Sequence, residues 1–361
     1  MNPNRNLHPE QGESVDRQQK YNVLIAGYLE PEHVDRIRQV DERLTVIYEP
    51  ELLRPPRFPA DHLGSPMMRT EEQSARWKEL LEQSDILYDF DLYDMDARES
   101  LPESAPNVQW IQATSSGIGK FVERMGYDKR MPNTVFTTAS GVHAKPLSEF
   151  CILSMLALNK GMERLTREKD RKHWERYAGR DLEGSTVGII GMGSSGSATA
   201  QLARAFGMTV VGTDVVPKID GLDRFFPLEQ LDELLKLSEY LILCVPHTPL
   251  TEKLIGAREL TLLPQGAVLI NIARGAVMDE PALIEALRSG HVRGAGLDVF
   301  ETEPLPADSP LWGMPNVIIS PHSASTSDRE NERITDLFCE NLRRFLSGDA
   351  LRNVLNTKLL Y

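Results

Sequence analysis

Residues 186–196 read TVGIIGMGSSG and join a short apolar segment to three glycines in the pattern G-x-G-x-x-G. An apolar strand followed by this pattern predicts a sharp strand-to-helix turn. Gly191 would allow the tight turn, Gly193 would let the backbone approach a phosphate, and Gly196 would let helix and strand pack closely. This stretch therefore predicts a dinucleotide-binding unit built on a parallel β-sheet.

The residues around the glycines extend this prediction. Asp214 ends the next apolar segment, about 20 residues after the first glycine, where a carboxylate is expected to accept hydrogen bonds from a ribose. The alternative role for Asp214 is to cap a turn, but the glycine pattern favours the ribose role and NAD as the cofactor. Ser194 and Ser195 are expected to contact the pyrophosphate at the start of the helix.

Strand-like and helix-like segments alternate on both sides of this stretch, which predicts parallel sheets with helices on their faces. The proline-rich segment 54–66 predicts a long loop, and the apolar segment 144–159 predicts a buried helix. We expect an α/β fold of two doubly wound parallel-sheet domains, Rossmann-like or flavodoxin-like, with a cleft between them. The predicted parts are a disordered extension (1–20), a substrate domain (21–143 plus 325–361) and an NAD-binding Rossmann domain (144–324).

The composition disfavours nucleic-acid-binding, membrane-bound and metal-binding proteins. The chain has 361 residues, 41% of them hydrophobic, and a formal net charge of −13, which disfavours binding to nucleic acid and to anionic membranes. Cys151, Cys244 and Cys339 lie in apolar segments without metal-ligand spacing, so we expect buried free thiols and no metal. No apolar stretch is long enough to span a bilayer. A cytoplasmic protein without a nucleic-acid or membrane partner is expected.

Three later segments carry polar residues just after apolar ones. Residues 266–280 read GAVLINIARGAVMDE, residues 296–306 read GLDVFETEPLP, and residues 316–324 read NVIISPHSA. Each would deliver polar side chains to the carboxyl end of a strand, where ligands bind in open α/β sheets.

Together with the glycine pattern and in this order, these segments resemble the D-isomer-specific 2-hydroxyacid dehydrogenase family. The similarity runs from about Asp85 to Leu346. The resemblance implies an NAD-dependent oxidoreductase that acts on the CH–OH group of 2-hydroxy acids. It places the catalytic arginine, glutamate and histidine of the family on Arg274, Glu303 and His322.

The chemistry of keto acid reduction explains these residue types. The keto oxygen gains negative charge and needs a proton, which His322 can supply as a general acid near neutral pH. Glu303 would favour the imidazolium by accepting a hydrogen bond from the other ring nitrogen. Arg274 would bind the substrate carboxylate with its planar fork.

The resemblance also implies further contacts and a homodimeric assembly. Asp298 is expected near the nicotinamide carboxamide, and Val245, Pro246 and Thr251 near the adenosine. The implied cofactor contacts beyond the glycine loop are Asp214, Val245, Pro246, Thr251, Ile272, Ala273, Arg274, Asp298, His322 and Ala324. The implied substrate contacts are Ser115, Ser116, Gly117, Ile118, Arg274 and His322.

Two departures from the family pattern narrow the expectations. Ser194-Ser195 stand where many members have a basic residue and an isoleucine. Asp89-Phe90-Asp91 lack the arginine of phosphoglycerate-specific members, which disfavours a phosphorylated substrate. Glyoxylate, hydroxypyruvate, pyruvate and bulkier 2-keto acids stay open.

Two alternative functions share this fold. One is an NAD-linked formate dehydrogenase, which is disfavoured because such enzymes carry glutamine in place of Glu303. The other is an NAD(H)-sensing corepressor-like binding protein, whose members keep the same three residues. Turnover of 2-keto acids would separate the enzyme from the binding protein.

Overall fold

The computed structural model describes residues 19–93, 95–217 and 219–360. Within it the chain separates into two compact units. Unit 1 comprises the chain up to Ala139 and the segment Asp328–Leu360, and unit 2 comprises Ser140–Ser327. Residues 1–18 of the predicted disordered extension lie outside the described residues, as does Lys218.

Unit 1 contains a five-stranded sheet in the order β2-β1-β3-β4-β5, and its neighbouring strands pair in parallel. This order is typical of flavodoxin-like folds. The strands are β1 (Tyr21–Ile25), β2 (Leu44–Ile47), β3 (Ile86–Tyr88), β4 (Trp110–Gln112) and β5 (Val135–Thr137), and the helices are α1 (Pro31–Arg38), α2 (Glu71–Glu82), α3 (Met95–Ser104), α4 (Gly119–Met125) and α5 (Tyr127–Arg130), with the last helix of the chain, Glu330–Ser347, returning to this unit.

Unit 2 contains a seven-stranded sheet in the order β12-β11-β10-β9-β6-β7-β8, again with parallel pairing. The helices are α6 (Ala144–Lys160), α7 (Met162–Asp170), α8 (Ser194–Ala205), α9 (Leu231–Leu237), α10 (Ala257–Leu262) and α11 (Glu280–Arg288), and the strands are β6 (Thr186–Ile190), β7 (Thr209–Thr213), β8 (Arg224–Phe225), β9 (Tyr240–Leu243), β10 (Ala267–Asn271), β11 (Val292–Leu297) and β12 (Val317–Ile319). Helix α12 is the Glu330–Ser347 helix of unit 1.

Alternating side chains of the unit 2 strands build two apolar layers. Leu241 and Leu269 pack into one buried cluster, whereas Ile242 and Ile270 pack into the other. Successive residues of a strand point to opposite faces, so a sheet that is covered on both faces needs apolar residues at every position. The continuous apolar strands of the sequence are explained by this double coverage, and the predicted α/β fold of two parallel-sheet units is confirmed.

The structure corrects several details of the predicted elements. Helices α3, α5 and α10 are not predicted by the sequence pattern, and α3 contains Pro102, a residue that disfavours a helix interior. The segment from Leu228 to Leu237 begins as a 3₁₀ turn, and only its Leu231–Leu237 part is α-helical. Cys244 is partly exposed, so the prediction of three buried thiols was wrong for this residue. Local propensity fails at these points because tertiary packing decides them.

No helix in the described part of the chain is both long and apolar enough to cross a membrane.

Candidate active site

The loop between β6 and α8 shows why its three glycines differ. Gly191 has a φ of +98°, and a Cβ on it would lie 2.9 Å from the carbonyl carbon of Cys244. A Cβ on Gly196 would lie 2.0 Å from the carbonyl oxygen of Gly191. A Cβ on Gly193 would meet no atom within 4 Å. The fold itself therefore requires the first and third glycines. The second borders open space, which would let a ligand come close to the protein backbone.

The start of α8 and the end of β7 complete this loop. Helix α8 begins at Ser194, and no side chain caps it at Gly193. Uncapped N–H groups at a helix start attract anions. The Asp214 carboxylate accepts hydrogen bonds from the Met192 N–H (2.7 Å) and the Val216 N–H (3.4 Å). Asp214 therefore fastens the glycine loop to the end of β7.

Arg274 lies just after β10, in a short connection ordered by Asn271. The Asn271 side-chain oxygen accepts the Ala273 N–H (3.0 Å), and its amide donates to the Arg274 carbonyl (3.2 Å). The Arg274 guanidinium donates to the Ala273 carbonyl (2.7 Å). Burial lowers the pKa of Arg274, while the Glu303 and Asp298 carboxylates counteract that shift. The guanidinium stays charged near neutral pH, since arginine is not deprotonated in proteins.

The predicted histidine and glutamate contact each other directly. Nδ1 of His322 lies 2.7 Å from Oε2 of Glu303, and Oε1 of Glu303 accepts the Phe300 N–H (3.0 Å). Burial works to raise the pKa of Glu303, but the hydrogen bonds from His322 and Phe300 and the charges of His322 and Arg274 outweigh it, so the pKa is lowered. An ionised Glu303 is thus held against one ring nitrogen of His322. The other ring nitrogen, Nε2, is left for an external partner.

Asp298 organises the segment that carries His322. Its Oδ1 accepts hydrogen bonds from the Ser320 hydroxyl (2.6 Å) and from the N–H groups of Ser323 and Ala324 (2.9 Å each). The His322 N–H donates to the Asp298 carbonyl (2.9 Å), and His322 has a φ of +54°. These four bonds hold His322 in a left-handed backbone conformation that few residues adopt freely. Burial raises the pKa of Asp298, although these hydrogen bonds and the charge of His322 act to lower it.

The other predicted cofactor contacts lie along the same carboxyl edge of the sheet, after β9 and β10. Val245 borders Gly191, since a Cβ placed on that glycine would lie 3.0 Å from a Val245 methyl. The Thr251 hydroxyl donates to the Pro246 carbonyl (2.6 Å) and closes a turn within the loop. Ile272 and Ala273 are buried in the connection before Arg274.

The predicted substrate loop belongs to unit 1, between β4 and α4. Ser115, Ser116 and Gly117 are exposed, and the Ser115 hydroxyl accepts the Gly117 N–H (3.3 Å). The Ile118 side chain is buried in the core of the unit. Any contact of Ile118 with a ligand would therefore be made by its backbone.

Sequence reasoning missed two residues that shape the site. Asn271 is fully buried and orders the Arg274 connection, and a polar residue at the end of the apolar strand AVLIN was a usable signal. Gly275 is the second, because a Cβ on it would lie 1.9 Å from the backbone of Phe300. Nothing in the local sequence reveals this close approach. In the described ranges, no group of three or more His, Cys, Asp or Glu side chains could hold a metal ion.

Comparison with known proteins extends these observations. Residues 152–324 match the family model for the NAD binding domain of D-isomer specific 2-hydroxyacid dehydrogenases. The chain is 36% identical to a glyoxylate reductase of Korarchaeum cryptofilum over 62% of this chain and 70% of that protein. It is also 36% identical to a D-3-phosphoglycerate dehydrogenase of Methanocaldococcus jannaschii, but over 70% of this chain and only 48% of that protein.

Solved structures agree with this comparison. The structure of a D-isomer specific 2-hydroxyacid dehydrogenase from Xanthobacter autotrophicus, in complex with NADPH and MES, superposes with a TM-score of 0.74 at 27% identity and covers 95% of this chain and 100% of that one. The two parallel sheets and the glycine loop define a dinucleotide-binding α/β protein. The chain belongs to the D-isomer specific 2-hydroxyacid dehydrogenase family.

Proposed function

We propose that this protein is an NAD(H)-dependent D-2-hydroxyacid dehydrogenase that reduces small 2-keto acids. The observation that carries the proposal is the 2.7 Å contact between His322 and an ionised Glu303, on the same sheet edge as Arg274 and the glycine loop. A histidine held by a carboxylate next to a guanidinium suits a reaction that needs a proton donor and an anion-binding group.

The residues of unit 2 fit a dinucleotide. The open space at Gly193 would let the pyrophosphate approach the backbone, and the uncapped start of α8 would bind its negative charge. The Asp214 carboxylate would accept hydrogen bonds from the ribose. Val245, Thr251 and Asp298 would line the remainder of the cofactor site. When bound, NAD(H) supplies or accepts the hydride, which no protein side chain can do.

The protein side chains would handle the proton and the substrate charges. His322 would donate a proton from Nε2 to the keto oxygen, while Glu303 stabilises the imidazolium through Nδ1. Arg274 would bind the carboxylate and polarise the carbonyl with its guanidinium. In unit 1, the exposed Ser115–Gly117 loop would bind a carboxylate through its backbone N–H groups.

A substrate screen tests the proposal. We expect NADH oxidation with at least one of glyoxylate, hydroxypyruvate, pyruvate and 2-ketobutyrate, and chiral chromatography of the product from 2-ketobutyrate should show the D-hydroxyacid. NADH binding without turnover of any 2-keto acid would instead indicate a binding protein. An L product would contradict the stereochemical part alone.

We expect NADH to be preferred over NADPH. The Asp214 carboxylate at the end of β7 would face a 2′-phosphate at close range, and two negative charges repel strongly in a partly dry site. The residues that follow are the exposed Val215, Val216 and Pro217, none of which can neutralise a phosphate. Steady-state kinetics with both cofactors check this, and Asp214→Asn, which keeps an acceptor for the Met192 N–H, should narrow the preference. Equal or better kcat/KM with NADPH in the unmodified protein contradicts it.

A homodimer built on unit 2 is part of the proposal. Leu153, Met162 and Leu165 expose about half of their surface, and Trp174 is 95% exposed. Large apolar side chains exposed on neighbouring helices and the chain after them are typical of a protein interface. Light scattering at micromolar concentration should report the dimer mass, and a monomer there would refute this part.

A further inference from the structure

A small cavity in unit 1 is not used by the proposed function. It lies at the carboxyl ends of β1 and β3 and is lined by residues that include Gly27, Arg54, His62 and Asp89. His62 comes from the proline-rich loop 54–66, to which the sequence pattern assigns no function. Buried ionisable groups at the carboxyl edge of a parallel sheet are candidates for a functional role.

His62 lies against a buried carboxylate. Its Nε2 is 3.2 Å from Oε1 of Glu330, and the two side chains are only 16% and 5% exposed. Burial works to lower the pKa of His62, but the bond to Glu330 and the charges of Asp89, Glu330 and Asp61 outweigh it, so the pKa is raised. The cavity thus favours an imidazolium between carboxylates.

Asp89 lines the same cavity and contacts the residue that precedes the predicted substrate loop. It is 3% exposed and has a φ of +67°. Its Oδ2 accepts the Thr114 hydroxyl (2.9 Å), and its Oδ1 lies 3.5 Å from the Thr114 N–H. Thr114 immediately precedes the exposed Ser115–Gly117 loop. Burial raises the pKa of Asp89, and the charge of His62 is the largest influence that opposes this.

The neighbouring charges are matched to other partners. Arg57 pairs with Asp61 at 2.6 Å, and Arg69 lies 3.7 Å from Asp91. The guanidinium of Arg54 lies over the Tyr93 ring. The charge of His62 acts to lower the pKa of Asp89.

We propose that His62 and Asp89 are positioning residues for substrate binding, which hold the Ser115–Gly117 loop through Thr114. The inference rests on the proposed function, because it takes this loop as the site of the substrate carboxylate. The charge of His62 opposes the effect of burial on the pKa of Asp89, and the Asp89 carboxylate fixes the start of the loop by two contacts with Thr114. Loss of either charge would leave the loop N–H groups less ordered and weaken the hold on the carboxylate.

Asp89→Asn tests the proposal cleanly. Asparagine has nearly the same shape and tolerates the left-handed backbone of this position, so the change removes the charge with little strain. We expect the KM for a 2-keto acid to rise about tenfold, which corresponds to about 1.4 kcal/mol. The kcat and the Kd for NADH, measured by fluorescence, should change less than twofold. An unchanged KM in the folded variant overturns the proposal.

Thr114 provides a second test with its own rescue. Thr114→Val removes the hydroxyl that donates to Asp89 and should raise the KM as Asp89→Asn does. Thr114→Ser keeps the hydroxyl and should have the KM of the unmodified protein. His62→Gln should also raise the KM. Its matched control is His173→Gln, because His173 also contacts a glutamate, Glu168, but is exposed in unit 2. A KM for Thr114→Ser as high as that of Thr114→Val would contradict the role of the hydrogen bond between Thr114 and Asp89.

Hydrogen exchange separates this inference from the proposed function. If the unmodified protein turns over no 2-keto acid, the proposed function fails, but the positioning of the loop can still be measured. Asp89→Asn should speed amide exchange at residues 115–117 several-fold and leave the amides of β6 unchanged. Unaltered exchange at 115–117 would overturn the inference by itself.

Discussion

Replacing His322 with asparagine is expected to lower kcat for 2-keto acid reduction by about 10²–10⁴-fold, the range that general acid–base catalysis supplies. Asparagine tolerates the φ of +54° at this position, so the backbone held by Asp298 should persist. Its amide cannot deliver a proton to the keto oxygen. Stopped-flow NADH oxidation at saturating substrate measures the effect, and the Kd for NADH should change little.

The contact between Glu303 and His322 leads to a second prediction, on how the reaction rate depends on pH. Reduction needs the protonated histidine, so the rate should fall as the pH rises and the proton is lost. Glu303 favours the imidazolium, as the 2.7 Å contact and its own lowered pKa indicate. In Glu303→Gln the neutral amide no longer stabilises the imidazolium, so the alkaline limb of kcat/KM should move to lower pH.

Glu301→Gln is the matched control for this profile. Glu301 lies in the same loop, but its carboxylate bonds to the Glu280 N–H and not to His322. Its profile should overlay that of the unmodified protein. A Glu303→Gln profile that also overlays it would refute the role of Glu303.

Gly275→Ala is expected to damage both stability and turnover. The added methyl would lie 1.9 Å from the Phe300 carbonyl carbon and 2.4 Å from the Glu301 nitrogen, so the backbone has to move. Overpacking of this kind costs about 1–3 kcal/mol of unfolding free energy. The Phe300 N–H donates to Glu303, so the shift should also displace the carboxylate that holds His322. A misplacement near 1 Å can reduce kcat about 10²-fold.

Denaturant unfolding and steady-state kinetics measure these two effects. Gly313→Ala is the control, since a Cβ there would meet no atom within 4 Å and the residue is not in the left-handed region. It should leave both stability and kcat nearly unchanged. If Gly275→Ala behaves like Gly313→Ala, the close packing of these two loops is not needed for the site.

Features that are local along the chain could be predicted from the sequence alone. Apolar strands followed by turn residues indicate the two parallel sheets, because a strand that is buried on both faces must be apolar at successive positions. The spacing of Gly191, Gly193 and Gly196 predicts a turn whose first and third glycines the fold does require. Arg274, Glu303 and His322 could be proposed as catalytic residues because each follows a strand within a recognisable segment.

Contacts that join distant segments depend on the tertiary structure. His62 and Glu330 are 268 positions apart, and Asp89 reaches Thr114 across two strand ends. Gly275 is needed because the Phe300 backbone passes against it, and Asp298 holds the His322 segment with one oxygen. Periodicity and spacing report which face of an element is buried, but not which side chain it meets there. Those contacts exist only once each sheet has brought the carboxyl ends of its own strands to one edge.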